Sequence, residues 1–370
     1  MRERLLLVLK LTVAMLALNM ITFGAQGPNE QALNSDNPRV RELVNAQEVA
    51  TPDLMAMDDV IGTAVGEDVD GELAILVFVN QEGKNPSETV RNIPRTFMGK
   101  RVKVEMTEPF RAMRGKPGGG GGGGGATVSH TAKQTPPIQL GTSGGWSYDL
   151  ANGYCCGGTL GSLVNIGSTE YILSNYHVFR SDIVSGGNNR IATDGDPIIQ
   201  PGLIDVGCNS TNAQPVATLA GTASLPGSNV DASIANVISG MVRTDGAILE
   251  IGTISSSTVA ASINQAVKKS GRTTGLSRSK VAGLNATISV AYDNECAGGA
   301  AFTKTYTGQI VIANKGSKFL NSGDSGSLMV EDASNNPRAV GLLFAGSSLY
   351  AIANPINEVL SFFGASMVGQ

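Results

Sequence analysis

Between two apolar runs the chain reads Asn321-Ser322-Gly323-Asp324-Ser325-Gly326-Ser327, with Ser327–Val330 and Ala339–Phe344 following as candidate strands. A short loop between strands can present one hydroxyl. A nucleophilic serine needs that exposure, a base to take its proton, and backbone N–H groups aimed at the developing oxyanion. Gly323 and Gly326 permit a tight backbone that turns neighbouring amides toward one point. Asp324 can be tied inward to hold the loop. Glycine–serine–aspartate clusters are also ordinary polar turns, so the loop signals chemistry only if partners exist elsewhere.

The same rhythm of short strands extends back to about residue 137. Gly158–Val164, Glu170–Ser174, Pro215–Leu219, Ala232–Val237, Gln265–Lys268, Thr287–Tyr292, Gln309–Ile312 and Tyr350–Ala353 read as strands, divided by Gly, Asn, Ser and Pro clusters. No long amphipathic helix appears until Pro355–Phe363. This predicts an all-β barrel or sandwich with one short C-terminal helix. The 47 glycines among 370 residues fit short strands and tight turns.

Only two histidines can supply a base, His130 and His177. His177 follows the apolar run Tyr171-Ile-Leu-Ser-Asn-Tyr, at a strand end, where a base is held rigidly. His130 lies in a polar stretch after a glycine tract and is a poor alternative. Asp231 sits among small and apolar residues in Asn229-Val-Asp-Ala-Ser-Ile-Ala. A buried carboxylate needs a partner such as an imidazole N–H. Asp205 and Asp245 are weaker rivals, both nearer glycine turns.

In chain order His177, Asp231 and Ser325 resemble the triad of the chymotrypsin-like (trypsin-fold) serine proteases, whose serine lies in Gly-Asp-Ser-Gly, as at Gly323–Gly326. Lys269-Ser-Gly-Arg-Thr-Thr-Gly275 is similar to a segment of the exported bacterial members. The resemblance covers residues 137–370 and implies a double β-barrel and a serine endopeptidase acting on protein or peptide substrates through an acyl-enzyme. It makes His177 the base, Asp231 its orienting partner and Ser325 the nucleophile, with the Gly323 and Ser325 amides as oxyanion hole. It pairs Arg272 with Asp324. It places Phe319, Phe344 and Gly346 at the substrate pocket, with an apolar or small preference because no aspartate stands at 319. An α/β-hydrolase is excluded by order, since both histidines precede Ser325. A non-catalytic binding protein that keeps the fold is the remaining alternative.

The first 117 residues differ in character. They hold more than half of the chain's 27 Lys/Arg and 31 Asp/Glu. Arg2, Arg4 and Lys10, the apolar stretch to Phe23 and the small Gly24-Ala25 read as a signal peptide over residues 1–25. That predicts a secreted or periplasmic protein with no membrane association after cleavage. Residues 36–112 read as a small α/β unit, a pro-segment or accessory domain that could act on its own protease domain. The tract Gly118–Gly125 marks a linker over residues 115–136. Export permits disulfides among Cys155, Cys156, Cys208 and Cys296, whose pairing the spacing leaves open. No metal motif or cofactor is expected. A net charge of −4 without a basic block gives no footprint for nucleic acid.

Overall fold

Short alternating strands close into barrels when their edges find one another. The computed structural model describes residues 32–113, 115, 128–151, 154–180, 190–292, 301–316 and 318–370. The expected signal peptide, Cys296 and the glycine tract lie outside these residues.

Eight antiparallel strands form the first sheet, in the order Ser366–Met367, Ser162–Ile166, Thr169–Ser174, Ser233–Val237, Gln214–Ala220, Pro197–Gln200, Thr142–Trp146, Gly158–Leu160. Trp146, Leu160, Ile172 and Phe179 fill its interior. The second barrel runs Ala266–Gly271, Leu328–Glu331, Ala339–Gly346, Tyr350–Pro355, Phe302–Ala313, Gly275–Tyr292, and its first and last strands also pair, closing a ring of six. The helix Ile356–Phe363 buries Ile356, Val359 and Leu360 and ends at Gly364, whose φ of 63° suits glycine. Those side chains join a cluster that includes Leu173 and Ile234 of the first sheet and Leu328 and Leu342 of the second. This apolar seam fixes the two barrels against each other, with the crevice between them. The chain thus has the chymotrypsin-like double-barrel fold.

Before the barrels, Asn37 caps the helix Pro38–Met55 by accepting from Arg39 N–H, and Val40, Leu43, Ala50 and Leu54 face inward at helical spacing. Strands Val60–Glu67 and Leu73–Asn80 form a hairpin, and Lys100–Thr107 runs parallel to the second of them. This α/β segment is not set apart. Strand Val60–Glu67 pairs antiparallel with the far half of Gly275–Tyr292, so one sheet runs through both. Gly62 permits that approach: a Cβ there would lie 2.5 Å from Ile288 Cδ1 and 2.9 Å from Thr287 O. Val40, Leu43 and Val77 share a core with Val267, Val281 and Ile312 of the second barrel.

Cys155 and Cys208 are disulfide-bonded, with Cα atoms 5.5 Å apart. Cys156 is also disulfide-bonded. No helix among the described residues is long and apolar enough to cross a membrane.

Candidate active site

The register of two neighbouring strands brings the histidine and the aspartate together. Ser174 and Ser233 pair across Thr169–Ser174 and Ser233–Val237. The residues just beyond this pair, His177 on one side and Asp231 on the other, therefore emerge at the same end. Asn175 donates from Nδ2 to Asp231 O at 2.7 Å and locks the two ends. His177 Nδ1 and Asp231 Oδ2 are 2.6 Å apart, and the His177 amide donates to Oδ1 at 3.2 Å. Tyr292 OH donates to the same Oδ2 at 2.7 Å. Its proton being committed there, Tyr306 OH must donate to Tyr292 across 2.6 Å. The Asp231 amide donates to Asn354 Oδ1 at 3.0 Å.

Asp231 is fully buried. Burial pushes its carboxyl upward, but the His177 charge and the hydrogen bonds from His177 and Tyr292 outweigh that, holding the pKa below the ordinary value. Burial, then the Asp231 charge, drives the Tyr292 and Tyr306 phenols upward. Both therefore stay protonated and keep donating.

Ser325 comes from the loop before Leu328–Glu331. Gly323 and Gly326 have φ of 99° and 90°. A Cβ on Gly326 would lie 2.2 Å from Ser174 Oγ and 2.4 Å from Thr159 O, and one on Gly323 would lie 2.5 Å from Thr273 Oγ1. Both conformation and space therefore demand glycine. Strand Gly158–Leu160 receives the loop: Thr159 N–H donates to Ser325 O at 2.8 Å, and Thr159 Oγ1 donates to Gly323 O at 2.9 Å. A Cβ on Gly158 would touch both Val178 Cγ2, at 2.6 Å, and Ser325 O, at 2.9 Å. The serine loop thus packs across this strand from the residue that follows His177. The Ser325 hydroxyl donates to Phe344 O at 3.1 Å. The Gly323 amide donates to a peptide carbonyl, Met113 O, at 2.7 Å.

Asp324 is tied inward, but not by the expected cation. Its carboxylate accepts from the Thr273 and Thr274 amides, Thr274 Oγ1 and the Asn321 amide at 2.8–3.1 Å, and lies 3.2 Å from Lys269 Nζ. Arg272 instead holds Asp205 in a fork, at 2.9 and 2.6 Å. Strand parity explains the exchange. Lys269 and Gly271 share one face of Ala266–Gly271, and a Cβ on Gly271 would lie 2.7 Å from Asp324 Oδ1. Arg272 lies past the strand end and turns to the first barrel, where Ser143 also donates to Asp205. Burial lowers the Lys269 pKa, and Asp324 opposes that shift.

Phe344 and Gly346 lie on Ala339–Gly346; the Phe344 carbonyl faces Ser325, while its side chain is buried in a cluster with Phe110 and Tyr306. Phe319 is buried in the second barrel's core. The atom nearest Gly346 from that loop belongs to its neighbour: a Cβ on Gly346 would lie 3.2 Å from Leu320 Cδ2. His130 is engaged elsewhere, bridging Gly141 O at 2.8 Å and Glu250 at 2.6 Å. Asp245 pairs with Arg243. Among the described residues no group of His, Cys, Asp and Glu could hold a metal ion.

Sequence reading missed Tyr292, Tyr306, Lys269, Thr159 and Leu320. Lys269 fell one residue past the strand read as ending at Lys268, although the structure carries that strand to Gly271.

The two-barrel architecture, with a serine-bearing loop and a histidine–aspartate pair at the crevice, defines a protein of the trypsin-like serine protease fold. A family model described as the Nal1 C-terminal domain matches residues 209–352. No curated protein matches the chain in sequence. Among solved structures it is similar to a glutamic acid-specific serine protease that uses a histidine triad in substrate binding, at 19% identity and a TM-score of 0.40, covering 62% of this chain and 100% of that one. It is also similar to Thermobifida fusca protease A, at 20% identity and TM-score 0.40, covering 63% and 99%. Cellulomonas bogoriensis chymotrypsin gives 20% identity and TM-score 0.38, covering 63% and 99%.

Proposed function

We propose that the protein is a secreted or periplasmic serine endopeptidase that hydrolyses peptide bonds through His177, Asp231 and Ser325. The observation that carries this reading is the buried His177–Asp231 pair at 2.6 Å, facing a glycine-bound serine loop whose Gly323 amide already holds a peptide carbonyl. His177 accepts the Ser325 proton as Oγ attacks the carbonyl carbon. The same proton then passes to the leaving amine, and water repeats the cycle to release the acid. Asp231 holds the imidazole in the tautomer that leaves its far nitrogen basic. The Gly323 and Ser325 amides receive the oxyanion. Lys269 and the Thr273 and Thr274 amides, by fixing Asp324, keep those amides aimed. Residues 36–112 act as a pro-segment on the protease domain that follows.

A fluorophosphonate tests the reading directly. Wild-type protein is expected to be labelled, and Ser325→Ala to remain unlabelled while unfolding at a similar temperature. A folded wild-type protein that takes no label, and cleaves no peptide once processed, would leave the non-catalytic binding protein as the better account.

A further inference from the structure

Residues 110–113, and Gly115 beyond them, lie beside the Ser325 loop as a bound peptide would. Strand Phe110–Ala112 pairs antiparallel with the end of Ala339–Gly346, Ala112 opposite Ala345 and Arg111 opposite Gly346. The next amide, Met113 N–H, donates to Phe344 O at 3.1 Å, and Met113 O accepts from Gly323 N–H at 2.7 Å. Beyond it, Gly115 N–H donates to Gly157 O at 3.0 Å in an antiparallel bridge. A Cβ on Gly115 would lie 3.1 Å from Gly323 Cα, so the chain grazes the serine loop there.

Met113 is therefore held through both its N–H and its C=O, and its carbonyl rests on the amide two residues before Ser325. The Ser325 hydroxyl and the Met113 amide share a single acceptor, Phe344 O, each at 3.1 Å. Nucleophile and candidate acyl residue are thus neighbours through one oxygen atom. The Met113 side chain enters the space that Gly346 leaves open: a Cβ at 346 would lie 3.1 Å from Met113 Cε. There it packs with the cluster that contains Phe319 and Leu320.

We infer that the peptide bond following Met113 is the protein's own first substrate, and that the site takes an apolar residue of about methionine's size on the acyl side of the bond it cuts. The inference rests on the hydrolase reading above and adds to it a bond and a specificity. Ser325 Oγ bonds to the Met113 carbonyl carbon as its proton moves to His177. The C–N bond to residue 114 breaks, and that proton leaves on the new amine. Water then adds to the acyl-enzyme and returns the Ser325 proton. The products are a Met113 carboxylate and an Arg114 amine. Arg114 lies outside the described residues and enters only as the next residue in sequence.

The experiment expresses full-length wild type, Ser325→Ala, Met113→Leu and Met113→Asp in one host and reads intact mass and the new N-terminal sequence. Wild type and Met113→Leu are expected to begin at Arg114, and Ser325→Ala to stay uncut. Met113→Asp is expected to be cut slower by on the order of 100-fold, because a carboxylate must enter an apolar pocket. Thermal unfolding guards against a folding defect. Independently, processed wild type is offered blocked Phe-Arg-Ala-X amides, where Met and Leu at X are expected to exceed Asp and Lys in kcat/KM by a similar factor. Fluorophosphonate labelling with an N-terminus elsewhere, equal cutting of Ser325→Ala, or an Asp or Lys preference overturns this inference while the hydrolase reading stands. Absence of labelling and of all cleavage removes both.

Discussion

Tyr292 links the two barrels' chemistry through one proton. It comes from the second barrel and donates to a carboxylate at the first barrel's strand end. A hydrogen bond to a charged group contributes about 1.5–3 kcal/mol. Tyr292→Phe takes that bond from Asp231 and leaves the Tyr306 hydroxyl without its acceptor. The expected result is a kcat lowered by on the order of 10-fold, with KM little changed, in steady-state kinetics on a peptide amide. Asp231 also sets a pH dependence of stability. Its folded pKa lies below its unfolded value, so its contribution is complete above the unfolded value and is lost as pH falls through the folded one. Urea denaturation of Asp231→Asn is therefore expected to show a shallower loss of stability toward strong acid than wild type. The histidine, aspartate and serine were legible in sequence because each sits in a local pattern with a chemical meaning. Tyr292 was not, because a tyrosine at a strand end is an ordinary strand former and its partner lies 61 residues away.

Strands were easier to find than their lengths. Gly275–Tyr292 is one strand of 18 residues, yet its sequence suggested a strand only from Thr287. The ladder passes Gly283 and Asn285 through register shifts against Phe302–Ala313. The strand Ala266–Gly271 was likewise cut short at Lys268, which hid the parity that sends Lys269 rather than Arg272 to Asp324. That pairing separates two variants. Removing one partner of a buried ion pair costs about 3–5 kcal/mol. Lys269→Met is therefore expected to destabilise the protein by that order and to abolish fluorophosphonate labelling. Arg272→Met, which leaves the Asp324 cage intact, is expected to retain labelling. The disulfide gives a third test. Cys155 and Cys208 are 53 residues apart in sequence. Chain-entropy reasoning gives about 4 kcal/mol for a loop of that length. The Cys155→Ser, Cys208→Ser double variant is expected to lose stability of that order in chemical denaturation.

The composition shift near residue 117 suggested two segments of different character, and charge density alone supports that reading. It misses that Val60–Glu67 adds to a barrel strand and that Val40 and Val77 share a core with Val281 and Ile312. Exposed strand edges and apolar faces seek partners. A chain lacking residues 33–113 would leave the edge of Gly275–Tyr292 unpaired and that core half covered. Recovery of fluorophosphonate-reactive protein after dilution from denaturant is expected to be low for this truncation and to rise when residues 33–113 are added as a separate chain. Equal recovery with and without them would make the barrels self-sufficient.

A sheet that runs without a seam from leading segment to second barrel has a further consequence. Severing the backbone at one point erases a covalent bond but not the ladder or the apolar face that hold the pieces in place. The cut fragment would remain seated as a spent product, competing with incoming substrate for the cleft that released it. Full activity of the proposed protease would then be timed not by the cut but by eviction, and a second proteolytic attack on the fragment is the event that would set its clock.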